Sequence, residues 1–179
     1  MTIGGTDYVI DIIGKHHDTY SDGSGTAPLT FQMHDCYGTE YAWHFENSNR
    51  WKACNMRTTH LPAILALMPN EVQVGIREVE KYTTDGFVGL ETIADKLFLL
   101  SEIEIRGTDA TSNLEEGRQY DYYSHGNSAV KKFDGSPAEW STRSLDWDDS
   151  RNIVIISSSG YSTGDKAMGT YGVSFAFCF

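Results

Sequence analysis

Gly172-Val173-Ser174-Phe175-Ala176-Phe177-Cys178-Phe179 is an apolar run that needs burial, and upstream of it stands Trp140-Ser141-Thr142-Arg143-Ser144. Both segments predict core strands. The polar stretch between them, about residues 145–171, then reads as an excursion held at both ends by core elements. Loops fixed on a rigid scaffold are where recognition usually lives, so the function is expected in this excursion.

Working outward, Tyr8–Ile13 reads as a first strand ended by Gly14, and Asp22-Gly23-Ser24-Gly25 as a turn. Leu29–His34 alternates apolar and polar residues, the pattern of a half-buried strand. Asn49–Arg57 reads as a helical turn carrying Trp51 and Met56. Thr59 is placed to cap the next helix, with Pro62 in its first turn. Leu61, Ile64, Leu65 and Met68 then share a face before Pro69. Val72–Thr83 reads as a strand and residues 85–90 as a loop. Asp95–Ser101 reads as a short strand buried on both faces, and Ser101-Glu102-Ile103-Glu104 as the start of a helical turn ending at Gly107. Residues 108–134 are polar and aromatic with little periodicity. Trp140–Ser144, Ile153–Ser157 and Gly172–Cys178 read as closing strands. The expectation is a single α+β domain over 1–179, with two short helices, several short strands and a high loop content.

The chain has 179 residues, enough for one core. Fourteen basic against 25 acidic residues give a formal net charge of -11, which repels phosphate backbones; no nucleic-acid partner is expected. Residues 1–7 show neither the basic start nor the apolar core of a signal peptide, and runs such as Leu61–Met68 are too short to span a bilayer. A soluble chain without membrane insertion or a standard export signal is expected. Cys36, Cys54 and Cys178 form no CxxC pair, which argues against a thiolate zinc site. They read as small buried hydrophobes, with a Cys36–Cys54 disulfide left open. The histidines show no helical i, i+4 pair and no HExxH arrangement.

Five segments carry a family resemblance: Asn49-Arg50-Trp51-Lys52-Ala53-Cys54-Asn55-Met56-Arg57; Thr92 through Ile105, with Asp95-Lys96-Leu97-Phe98-Leu99-Leu100-Ser101 at its heart; Glu116-Gly117-Arg118-Gln119-Tyr120-Asp121-Tyr122-Tyr123; Trp140 to Ser144; and Gly172 to Cys178. In this order, from about Tyr8 to Phe179, they resemble the DUF6273-type domain of phage tail and bacterial surface proteins. The resemblance implies a C-type-lectin-like fold related to that of the formylglycine-generating enzymes. For some members it also implies the role of variable protein of a diversity-generating retroelement, in which codons near the C-terminus are rewritten on a fixed frame. The sequence departs from the pattern after Arg143-Ser144, where Leu145-Asp146-Trp147 stands in place of a common proline.

The resemblance and the side chains together point to one set of ligand-binding residues. These are Ser141, Leu145, Asp146, Trp147, Asp148, Asp149, Ser150, Arg151 and Asn152, then Ile155, Ser157 and Ser159, then Tyr161, Thr163, Asp165, Lys166, Met168 and Tyr171. Trp and Tyr offer rigid contact area with polar tips, and Ser and Asn offer adaptable hydrogen bonds, as in antibody paratopes. Trp147 and Tyr161 are the expected anchors. Strand alternation turns Ile155, Ser157 and Ser159 outward, although a one-residue slip would exchange the faces. Arg143 is expected to pin irregular loops through carboxylate or carbonyl contacts.

The function these readings support is non-enzymatic recognition of a host-cell surface protein or glycan, on a phage tail or a bacterial surface, with room for a homo-oligomer. No catalytic residue, resident metal or cofactor is assigned. Asp146, Asp148 and Asp149 are the residues that a calcium-dependent sugar site would draw on, but no Glu-Pro-Asn or Gln-Pro-Asp segment accompanies them. The alternatives are an oxidase like the formylglycine-generating enzymes, which would need two thiols meeting in an open cleft, and a structural virion domain.

Overall fold

The computed structural model describes residues 1–46, 50–84, 89–112, 115–149 and 151–179. A ribbon of β1 (Thr2–Ile3) and β2 (Thr6–Asp7) leads into β3 (Ile10–Lys15), β4 (Leu29–Met33) and β5 (Tyr41–Ala42). A 3-10 turn (Trp51–Ala53) and a π turn (Met56–His60) precede α1 (Leu61–Ala66) and α2 (Asn70–Gly75). Next come β6 (Val79–Thr84), β7 (Leu90–Asp95), β8 (Leu97–Phe98), α3 (Glu102–Arg106) and α4 (Asp121–Ser124). Strands β9 (Lys131–Phe133), β10 (Ser136–Ala138), β11 (Trp140–Leu145), β12 (Asn152–Ile156), β13 (Ser162–Lys166), β14 (Thr170–Tyr171) and β15 (Ala176–Cys178) finish the chain. The fold is α+β with many short strands in small sheets. Four α-helices occur among the described residues, where two were expected.

The apolar run 172–179 lies at the centre of the fold. Its strand β15 is sandwiched in the four-stranded sheet β3-β4-β15-β8, pairing Phe177 with Phe31 on one side and with Leu97 on the other. Phe175, Ala176, Phe177 and Cys178 are buried. A second sheet, β11-β12-β13, meets this core through β11, whose free edge is closed by the Ser141 amide donating to Gly172 O and the Arg143 amide donating to Leu100 O. β11 is therefore enclosed, and all six of its residues are buried.

Local chemistry explains the elements. The first turn of α3 is a capping box: Ser101 Oγ accepts from the Glu104 amide, while a Glu104 carboxylate oxygen accepts from the Ser101 amide. Gly107, at φ +68°, ends the helix in the left-handed region, as the sequence predicted. Thr59, by contrast, caps nothing. The chain is already helical before it, through the π turn, and runs into α1 without a side-chain cap. The expected strand 72–83 is split: Asn70–Gly75 is helical, and only Val79–Thr84 is extended. Its partner β7 begins at Leu90, where a loop was expected; residues 85–88 lie outside the described set. β7 was hard to see because Asp95 holds one of its two inward positions and Ile93 the other. No helix among the described residues is long and apolar enough to cross a membrane.

Candidate functional site

Arg143 and Glu104 form the centre of a buried polar frame. Arg143 Nη1 and Nη2 donate to the two carboxylate oxygens of Glu104 at 2.5 and 2.9 Å. Its remaining bonds go to the carbonyls of Tyr82, Leu99 and Glu116. Glu104 also meets Lys81 Nζ at 2.7 Å, and Lys81 meets Asp18 at 2.7 Å. The Tyr120 hydroxyl accepts from Lys81 and donates to Asp18, which Thr30 Oγ1 also contacts. The frame alternates cation and anion, so the buried charges neutralise one another. Burial alone would raise the Asp18 carboxyl, but Lys81 and the Thr30 hydroxyl hold it down to about 2. Glu104 is likewise lowered against its burial by Arg143 and Lys81.

Glu116 makes no ion pair among the described residues. Its carboxylate accepts from Ser144 Oγ and the Thr84 amide, and burial pushes its pKa up to about 7. Arg143 donates to the Glu116 carbonyl and not to its carboxylate.

A second buried acid carries the frame outward. Glu102, in the same helix as Glu104, accepts from the amides of Thr111 and Ser112 at 2.7 to 3.1 Å. The Thr111 carbonyl in turn accepts from the Trp147 amide, and its hydroxyl meets Ser162 Oγ at 3.3 Å. Arg106, in the last turn of α3, donates to Gly160 O and lies 5.3 Å from the Tyr161 ring centroid. One short helix thus fixes both expected anchors through adjoining segments. The two rings remain in solvent: Trp147 is 62% exposed and Tyr161 65%.

Most of the predicted residues reach solvent. Asp148, Arg151, Ser159, Thr163, Lys166 and Met168 are exposed, and Asp146, Asp149, Asn152, Ser157 and Asp165 are half-buried. Asp146 crosses over Gly164: a Cβ there would overlap its carboxylate. Asp146 also accepts from the Asp148 amide and from Asn152 Nδ2. Ser150 lies outside the described residues.

Four predicted residues are corrected to interior positions. Ser141 and Leu145 belong to the enclosed β11. Ile155 is buried because β12 is central in its sheet and covered on both faces. Ile153, Ile155 and Ile156 all belong to the main core, and Val154 and Ile156 pair with Gly164 and Ser162, on which Asp146 and Thr111 lie. Alternation gives no outward residue in such a strand. Tyr171 pairs with Tyr41 and donates its hydroxyl to Lys166 O.

Two of the three loop aspartates weighed for calcium, Asp146 and Asp149, have their carboxylates engaged by neighbouring donors. Asp149 accepts two bonds from Arg151, which, with the Arg151 amide, holds its carboxyl down to about 2. Among the described residues the one group of three metal-capable side chains is His17, Asp18 and Glu104, whose donor atoms lie within 4.8 Å of one another. Lys81 already contacts both carboxylates, so a metal ion there would have to displace a buried ammonium.

That group is also the floor of a cleft of about 440 Å³, between residues 17–19, 80–82, 103–104 and 115–118. His17 stacks on Tyr120 with centroids 3.8 Å apart, and burial lowers its pKa, favouring the neutral ring. The sequence reading missed this cleft because its parts come from five distant segments, Leu90 among them, and no local motif joins them.

Residues 30–179 match the family described as a domain of unknown function, DUF6273. The chain belongs to the DUF6273 family. No curated protein and no solved structure matches it.

The motifs of this DUF6273 domain have a common structural meaning. Trp51 donates its indole N–H to Asp95 at 2.8 Å, and Arg57 Nε reaches the other Asp95 oxygen at 2.7 Å. Ser101 and Glu104 make the capping box; Glu116 and Ser144 bond to each other; Tyr120 sits in the ion network; Trp140 donates to Ala129 O. In each of these segments side chains satisfy buried polar groups. The exposed Trp147 and Tyr161 lie between motifs.

Proposed function

We propose that this DUF6273 domain is a non-enzymatic ligand-binding module that reads its ligand with the surface around Trp147 and Tyr161. The observation that carries this reading is the linkage of that surface to the buried frame. Glu102 holds Thr111, Thr111 holds Trp147 and Ser162, and Arg106 holds the Tyr161 turn. Two large exposed rings, one held through the buried acid Glu102 and the other through Arg106, are pre-organised for contact, and pre-organised aromatics gain affinity because little freedom is left to lose.

In its fuller form the frame is C-type-lectin-like. The chain is then a phage tail-associated or retroelement-target variable protein, and its partner a host-cell surface protein or glycan. The burial pattern supports a division into fixed and variable positions: Ser141, Leu145, Ile155 and Tyr171 are interior, while residues 146–149 and 157–168 supply the reading surface. The oxidase alternative would need two thiols in an open cleft; Cys36, Cys54 and Cys178 are free and buried, which favours the binding reading.

The test is binding of the purified chain to arrayed bacterial surface glycans and to intact bacterial cells, beside a Trp147→Ala/Tyr161→Ala variant. Saturable binding lost in the variant is expected. Equal binding by both, or none on any surface, would favour a structural domain. Sequencing the gene across close isolates supplies a second arm. Differences should gather at the exposed positions of 146–168 and spare the four interior ones; an even spread along the chain would remove the variable-protein reading.

A further inference from the structure

We propose that the cleft above Asp18 and Glu104 is a second, separate binding site, and that it takes a small organic ammonium with an apolar or aromatic body. The cleft shares no lining residue with the Trp147–Tyr161 surface, although both draw on α3: Ile103 and Glu104 line the cleft, while Glu102 and Arg106 hold the other surface. Its volume of about 440 Å³ falls within the small-molecule range of roughly 300–1,000 Å³.

The charge of the lining selects the sign of the ligand. Asp18, Glu80, Glu104 and Glu115 line the cleft against Lys81 and Arg118. Lys81 is spent: its ammonium is held by Asp18, Glu104 and the Tyr120 hydroxyl, and is buried. Among the described residues neither Glu80 nor Glu115 makes an ion pair. His17, favoured neutral by its burial, adds no opposing charge. Carboxylates at the mouth of a low-dielectric cleft focus a negative potential, which draws cations and repels anions.

The apolar part of the lining selects the body of the ligand. Glu80 and Tyr82 alternate onto one face of β6, and the register sets Leu90 of β7 diagonal to Tyr82 on that face. Both are well exposed, Tyr82 at 48% and Leu90 at 44%, and both line the cleft. A carboxylate beside a tyrosine ring and an aliphatic side chain suits an ammonium on a hydrocarbon or aromatic stem, with the cation against the ring face adding to the attraction.

Titration calorimetry of the full chain with 2-phenylethylammonium chloride, 2-phenylethanol and sodium phenylacetate tests this. Saturable binding of the ammonium is expected, at least about tenfold tighter than either the alcohol or the carboxylate and weakened by salt. Glu80→Gln/Glu115→Gln should weaken it about fivefold, and Arg118→Ala should tighten it, because each removes a charge at the mouth. Tyr82→Ala should weaken it as well. Tyr82, Glu115 and Arg118 are exposed and Glu80 is half-buried, and unchanged thermal midpoints confirm that the variants fold. Absence of saturable binding, equal binding of phenylacetate, or indifference to the glutamate changes would overturn the proposal. Trp147→Ala/Tyr161→Ala should leave ammonium binding intact; its loss there would move the ligand to the other surface and also overturn the cleft assignment. The recognition reading stands or falls on the array and cell assays, so the two failures are distinguishable.

Discussion

Arg143 and Glu104 meet through two parallel hydrogen bonds, at 2.5 and 2.9 Å, inside a region where neither side chain touches solvent appreciably. The guanidinium fork satisfies a carboxylate that also caps its own helix and contacts Lys81, and it serves three backbone carbonyls besides. Lysine has the charge but not the planar fork. Arg143→Lys should therefore keep a cation beside Glu104 but leave buried carbonyls without donors, at a cost of about 2–4 kcal/mol. Urea unfolding followed by tryptophan fluorescence measures it. A loss under 1 kcal/mol would mean that the frame is far less rigid than its bonding suggests.

Glu116 makes stability depend on pH. Its folded pKa is raised from 4.5 to about 7 by burial, so the folded state holds the proton more tightly than the unfolded chain. The stabilisation is fully present below about pH 4.5 and is lost as pH rises through 7, by roughly 3 kcal/mol. Glu116→Gln should keep the contacts with Ser144 and Thr84 without a charge to bury. The variant should gain on the parent between pH 5.5 and 8.5 in thermal midpoint. Other groups titrate alike in both proteins, so a constant difference across that range would show that Glu116 does not ionise there.

The three thiols should be silent in the folded protein. Burial pushes Cys36, Cys54 and Cys178 each up to about 12, and the thiolate is the reactive form. A disulfide reagent at pH 8 should label none rapidly in buffer and all three in denaturant. Rapid labelling of two native thiols would revive the oxidase alternative.

The sequence revealed the core better than the surface, for physical reasons. Phe175 and Phe177 announced their burial by composition, and Ser101 with Glu104 announced a helix start by spacing. The frame was only half visible. Arg143 could be assigned to pinning loops, but its partner Glu104 is 39 positions away and no periodicity connects them. β13, Ser162–Lys166, contains no large apolar residue and owes its strand to pairing with β12, so no window of sequence could have marked it. The error at Ile155 has the same root. Alternation assigns one face to water, but β12 is covered on both: Ile155 packs into the core, and the opposite face, paired with Ser162 and Gly164, lies under Thr111 and Asp146.

Glu102 offers the sharpest test of how surface and frame are joined. Its carboxylate touches neither exposed ring, yet it accepts from the Thr111 and Ser112 amides, and Thr111 positions Trp147 and Ser162. Trp147→Ala and Tyr161→Ala should each change stability by no more than about 0.5 kcal/mol, because both rings are mostly in water. Glu102→Ala should instead leave two amides without their acceptor and cost about 2–4 kcal/mol. On any ligand that the Trp147–Tyr161 surface binds, Glu102→Ala should also weaken affinity at 10 °C, where the variant is still folded by circular dichroism. Faster exchange of the Thr111 and Trp147 amides should accompany that loss. If affinity and exchange both match the parent while stability falls, the buried acid supports the helix alone, and the surface keeps its shape without it.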